Sequence, residues 1–150
     1  MEIRRILAPT DFSELSKQGL KSALELAQWF DAELLLLHVV DPPPYPVEGI
    51  VPSHLGAPLM DDLERQASTE LAQMLPEAPA SRVSVSRRVG VGIPHRKIVE
   101  VAEEEEADLI VLTTHGRTGL SHLIMGSVAE KVVRTAPCPV LTIRPTAATA

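Results

Sequence analysis

The chain is expected to be a single α/β domain, an open parallel sheet with helices on both faces. Three observations predict this. Apolar runs of strand length alternate with helix-spaced segments along all 150 residues. The run at residues 34–40 (Leu-Leu-Leu-Leu-His-Val-Val) shows no polar alternation, as expected of a strand covered on both faces. Turn-forming residues gather where strand ends hand over to helices.

Taken in order, residues 3–8 form the first strand, ending at Pro9. Pro9-Thr10-Asp11-Phe12-Ser13 turns the chain into a helix, with Asp11 or Ser13 as cap and Glu14 at capping-box spacing from Asp11. Leu20, Ala23, Leu24, Ala27 and Phe30 recur at i, i+3, i+4, i+7 spacing and predict one buried face. Asp31-Ala32-Glu33 breaks that helix, and residues 34–40 are the second strand. Residues 42–58 hold six of the thirteen prolines plus Gly49 and Gly56. They predict a long loop without regular structure, to be read as a lid, a binding surface or plain disorder. Residues 60–75 carry Leu63, Ala67, Leu71 and Met74 at helical spacing.

Val83, Val85 and Val89 among Ser and Arg predict a third strand near an edge. Gly90-Val-Gly-Ile-Pro94 is a turn, with Pro94 opening a helix over residues 95–106 whose inward face holds Ile98, Val101 and Ala102. Residues 108–112 are the fourth strand. A last helix over 127–136 carries Ser127-Val-Ala-Glu130 as a capping box and Val128, Val132, Val133 and Ala136 as its inner face. Pro137-Cys-Pro139 leads to a fifth strand, residues 140–143, and the tail at 145–150 is expected to fray.

Composition narrows the function classes. Net charge is −6 and aromatic residues make up 3% of the chain. Both argue against a nucleic-acid binder, which wants a basic patch and stacking platforms. No apolar run approaches membrane-spanning length, the N-terminus does not read as a signal peptide, and the lone Cys138 allows no internal disulfide. A soluble cytoplasmic protein is the expectation. The five histidines lack metal-ligand spacing, so no metal site is expected.

Between the fourth strand and the last helix lies Thr113-Thr-His-Gly-Arg-Thr-Gly-Leu-Ser-His-Leu-Ile-Met-Gly-Ser-Val128. Glycines, hydroxyls and one arginine before a helix N-terminus suit a phosphate, because unpaired first-turn N–H groups and the helix dipole attract negative charge. In open parallel sheets ligands bind beyond the strands' C-terminal ends, where strand order reverses. Pro9-Thr10-Asp11 and the glycine loop are the two segments that qualify, and they would meet if the first and fourth strands were neighbours. Walker-A Gly-Lys-Ser/Thr is absent, and no nucleophile–base constellation is recognisable, which favours a binder over a catalyst.

The segments Ile-Leu-Ala-Pro-Thr-Asp-Phe-Ser, Leu-Leu-His-Val-Val-Asp, Val-Gly-Ile-Pro-His, Ala-Asp-Leu-Ile-Val-Leu with the glycine loop, and Ala-Pro-Cys-Pro-Val-Leu together resemble the universal stress protein A-like family over nearly the whole chain. The resemblance implies a Rossmann-like, adenine nucleotide alpha hydrolase-like sheet of order 3-2-1-4-5 and a homodimer formed through Val140–Ile143. It also implies an ATP site of pattern Gly-x2-Gly-x9-Gly-Ser/Thr with at most weak hydrolysis. Gly116, Gly126 and Ser127 match; the first glycine's position is Thr113. A glycine there would permit positive φ or close approach of phosphate. If the position simply ends the strand, threonine fits. By the same resemblance Asp11 takes the ribose hydroxyls, Val39 meets the adenine edge through its backbone, and Pro9 and Thr10 line that pocket. Gly116, Arg117, Gly126, Ser127 and Val128 surround the phosphates. ATP is the expected ligand, with ADP, AMP and an accompanying Mg ion left open. A nucleotide-free interaction protein of the same fold and a slow ATPase are the alternatives.

Overall fold

The computed structural model of the chain describes residues 1–42, 53–75, 83–115 and 125–146; of residues 53–56 it describes the backbone. Five strands and four helices alternate: β1 (Arg5–Pro9), α1 (Glu14–Phe30), β2 (Glu33–Val40), α2 (Ser53–Gln73), β3 (Val85–Val91), α3 (Pro94–Glu104), β4 (Leu109–Thr113), α4 (Ser127–Thr135) and β5 (Val140–Ile143). All four pairings are parallel, in the order β3-β2-β1-β4-β5. β1 and β4 therefore flank the reversal, and β3 is an edge strand as its Ser/Arg content suggested.

The period of two along each strand divides the core. Ile6, Ala8, Leu34, Leu36, Leu109 and Val111 face Leu20, Ala23 and Ala27 of α1 and Leu71 of α2. Leu7, Leu35, Leu37, Ile110 and Leu112 face Ile98, Val101 and Ala102 of α3 and Ala129 and Val132 of α4. Continuous apolar runs are thus what a sheet with two covered faces demands. At the sheet's lower end the Asp108 carboxylate accepts from the backbone N–H groups of Arg4 (2.8 Å) and Arg5 (2.9 Å). The Arg5 guanidinium bridges Glu33 and the Glu105 carbonyl, tying β1, β2 and α3 together there.

Several expectations are corrected. Of the two candidate caps of α1, Ser13 serves, its side chain accepting from the Ser16 N–H; Asp11 accepts from Ser13 instead, so the Asp11–Glu14 capping box does not form. Phe30 does not join the buried face and is 46% exposed. Asp31 turns left-handed at φ 54° directly after it, so the helix ends there and Ala32 is tucked in instead. α2 begins at Ser53 and runs through Pro58, inside the stretch expected to be irregular. Ala67 and Leu71 anchor the helix in the core, and an anchored helix extends cooperatively past one missing N–H.

α4 is capped by Gly126 with no side-chain hydrogen bond, so the Ser127–Glu130 capping box does not form. Ser127 is already helical, and Glu130 pairs with Arg134 instead. Its buried stripe is Ala129 and Val132; Val128 and Val133 are exposed, because a nine-residue helix presents only one narrow face. Within the tail, the Thr146 N–H and C=O pair with the Gln18 side chain at 3.1 and 3.3 Å. The rest of the tail, 147–150, lies outside the described residues.

Candidate functional site

β1 and β4 pair only at Ile6↔Leu109 and Leu7↔Ile110, whereas β4 goes on beside β5 as far as Thr113↔Ile143. Proline is part of the cause. The Thr10 N–H donates to the Leu37 carbonyl on the β2 side, and N–H groups alternate sides along a strand. The N–H that Pro9 lacks would therefore have faced β4. The sheet opens above that point, and a cavity of about 290 Å³ occupies the gap.

Eight of the ten residues expected at the site border this one cavity: Pro9, Thr10, Asp11, Val39, Thr113, Gly126, Ser127 and Val128. Gly116 and Arg117 lie outside the described residues. Sequence reading missed eight further lining residues, among them Ser16, His38, Pro94, Ile98 and Ala129. The signal for Pro94 was present in Val-Gly-Ile-Pro-His; Ser16, Ile98 and Ala129 are buried positions near the N-terminal ends of helices that reach the cavity.

The loop after β1 is held by its own side chains. The Thr10 hydroxyl lies 2.9 Å from the Ser16 hydroxyl and accepts the Phe12 N–H at 3.1 Å. The Ser16 hydroxyl donates to the Ser13 carbonyl at 2.8 Å, and both groups are buried among apolar neighbours. One oxygen of Asp11 accepts from the Ser13 N–H (3.0 Å) and hydroxyl (2.5 Å). An ionised carboxylate offers about four acceptor positions, and these two bonds fix the orientation of the group at the cavity's edge.

On the opposite wall, α4 delivers its N-terminus to the cavity. Among the described residues no side chain caps the first-turn N–H groups of Ser127, Val128 and Ala129; the Glu130 N–H is already bonded to the Gly126 carbonyl at 2.9 Å. Gly126 donates to the Thr114 carbonyl at 2.6 Å, and a Cβ on Gly126 would stand 3.0 Å from that oxygen. Glycine is what permits α4 to start this close to the end of β4. Thr113 ends β4 and is absent from the residues with positive φ. Its hydroxyl donates to the His115 carbonyl at 2.8 Å. The His115 Nδ1 lies 2.8 Å from the Thr114 hydroxyl, while its buried Nε2 has no partner among the described residues. No group of three His, Cys, Asp or Glu able to hold a metal ion occurs among the described residues, and no described helix is long and apolar enough to cross a membrane.

A doubly covered parallel sheet with a cleft at its switch point, bounded by a carboxylate and a helix N-terminus, defines an α/β protein whose cleft has the chemistry to accept a small anionic ligand. The family can be named from the chain itself. The universal stress protein family model matches residues 2–144, and the protein belongs to that family. Universal stress protein MJ0531 of Methanocaldococcus jannaschii is 38% identical over 144 residues, covering 94% of this chain and 82% of the relative. The solved structure of MJ0577, described as a structure-based assignment of biochemical function, superposes with a TM-score of 0.81 at 30% identity, covering 99% of this chain and 100% of that one. A universal stress protein in complex with cAMP shares the fold, with a TM-score of 0.72 at 22% identity over 97% of this chain and 100% of that one.

Proposed function

We propose that this protein binds an adenine nucleotide, ATP foremost, in the cleft between β1 and β4, and that it works as a regulatory homodimer rather than as a catalyst. One observation carries the reading: a carboxylate, a helix N-terminus that begins at a glycine cap, and the outward end of β2 converge on a single cavity. Each suits one part of such a ligand. The α4 N–H groups and dipole suit phosphate; Asp11 suits the ribose hydroxyls; the Val39 backbone suits the adenine edge. Thr113 leaves room for this, since it needs no glycine-only conformation and its hydroxyl is turned to His115. A relative of the same fold is a complex with cAMP, the same ligand class. Mg would arrive on the phosphates, as it commonly does, rather than in a protein cage.

Calorimetry with ATP tests the reading, alongside mass spectrometry of ligand released from freshly purified protein. Saturable binding is expected, abolished by Asp11→Ala and by Gly126→Val, whose larger side chain would push α4 off Thr114. Unchanged binding in both variants sinks this site. Absence of binding would favour a nucleotide-free interaction protein, and multiple-turnover ADP release lost in Asp11→Ala would favour a slow ATPase.

We assign the dimer to β5, the four-residue edge strand Val140–Ile143, in which Leu141 is exposed, as is Val133 on α4. An unpaired edge with apolar side chains invites a second strand. Sedimentation of a Leu141→Glu variant is expected to show monomers; a monomeric wild type overturns the assignment.

A further inference from the structure

We infer that His38 and the Thr10 hydroxyl are positioning residues that withhold the natural sheet partners of Val39 and so present its N–H and C=O to the ligand. This rests on the nucleotide reading above and adds which residues create its base-reading edge.

The β2 ladder shows the diversion. Glu33 donates to the Arg4 carbonyl and Thr10 donates to Leu37, so odd-numbered residues of β2 face β1. Leu34 donates to Ser84 and Gly92 donates to Val40, so even-numbered residues face β3. Val39 therefore faces the β1 side, one step beyond the last pair, Pro9↔Leu37. Continued parallel pairing would give the Val39 N–H to the Thr10 carbonyl, and the Phe12 N–H to the Val39 carbonyl. Neither bond is made.

Side chains take both partners. His38 Nδ1 lies 2.8 Å from the Thr10 carbonyl, and since a carbonyl only accepts, that nitrogen carries the proton. The Phe12 N–H goes to the Thr10 hydroxyl at 3.1 Å. Phe12 pays for the diversion with a positive φ of 65°, unusual for a bulky residue, and its ring stacks on His38 at 4.1 Å between centroids. Strand, imidazole and aromatic ring thus hold the β1 loop curled away from β2. Among the described residues, Val39 is left with one donor and one acceptor side by side at the cavity. That pair matches adenine, whose N1 accepts and whose N6 amino group donates. Hypoxanthine reverses both and is mismatched.

The test compares ATP with ITP by calorimetry and follows the Val39 amide by hydrogen exchange in the ligand-free protein. Wild type is expected to favour ATP by about tenfold to a hundredfold, the discrimination of one bidentate pair. His38→Leu and Thr10→Val are expected to bring that ratio towards one, whereas His38→Asn and Thr10→Ser, which keep a donor or hydroxyl, retain it. The Val39 amide is expected to exchange faster than the Leu37 amide in wild type and to become protected in His38→Leu. Unchanged discrimination in His38→Leu, or a Val39 amide as protected as Leu37 in wild type, overturns the inference. If wild type binds no ATP, the nucleotide reading fails and the exchange data alone still decide this one.

Discussion

Thr113 and Gly19 are a matched pair. A Cβ placed on Gly19 of α1 would stand 2.8 Å from the Cγ2 of Thr113 at the end of β4. The family pattern puts glycine at the β4 position; here the β-branched residue sits on β4 and the glycine sits on the helix that covers it. The threonine methyl is housed between α1 and the sheet instead of in the cleft.

Gly19→Ala is therefore expected to destabilise the protein by about 1–3 kcal/mol from overpacking, against a gain of ~1 kcal/mol in helix propensity. In Gly19→Ala/Thr113→Gly the overpacking disappears, so the two substitutions couple by at least about 1 kcal/mol in urea denaturation. Strict additivity would show that the two residues do not share this space. Thr113→Gly alone should leave ATP affinity within a few-fold of wild type.

Leu71 is the deepest anchor of α2, 1% exposed against Leu34 and Leu36. Leu71→Ala should cost about 2–5 kcal/mol, from lost burial and a residual cavity. Leu59→Ala, at a half-exposed position on the same helix, should cost well under half as much. Equal losses would mean that α2 is not held through Leu71.

His95 titrates below its ordinary value of 6.5, first through desolvation and then through the charges of Lys131 and Arg96. The unfolded chain therefore takes up this proton before the folded one does. The resulting stability is fully present above about pH 6.5 and is lost as pH falls through the lower folded-state pKa. Chemical denaturation at pH 7.5 and 5.5 should show a smaller loss for His95→Gln than for wild type. An identical or larger loss would contradict the depressed value.

Cys138 is pushed above the usual thiol range, chiefly by burial, with the Asp108 carboxylate adding to it and a backbone hydrogen bond with Ile110 opposing. Since the thiolate is the nucleophile, alkylation by iodoacetamide near pH 8 should run several-fold slower than for a free thiol. A faster reaction would show an activated cysteine.

Residues 34–40 and 109–112 declared their strands through unbroken apolar runs, because burial on both faces leaves no polar position in either. The cleft was legible as two separate loops, Pro9-Thr10-Asp11 and Gly126-Ser127, since each carries its own local chemistry. Strand order was not legible from spacing, because Ile6↔Leu109 joins residues far apart in sequence; it came with the family resemblance. Ser16, Ile98 and Ala129 look like ordinary helix positions, and only the packing of three helices brings them to one cavity. Phe30 and Val133 fit the helical period yet are exposed, since period alone does not say where a helix parts from its sheet. The left-handed Asp31 decides it for Phe30.

The central place of β1 has a consequence for synthesis on the ribosome. The first strand made must wait for its second neighbour until β4 has emerged, 103 residues after Arg5 in the case of its contact with Asp108. Until then a nascent β3-β2-β1 sheet carries Leu7, Leu35 and Leu37 on a face that only α3 and α4 will cover. The half-made protein is thus sticky on one side, and a release near Gly92 should yield an aggregating fragment, whereas the finished chain seals that face with its last third.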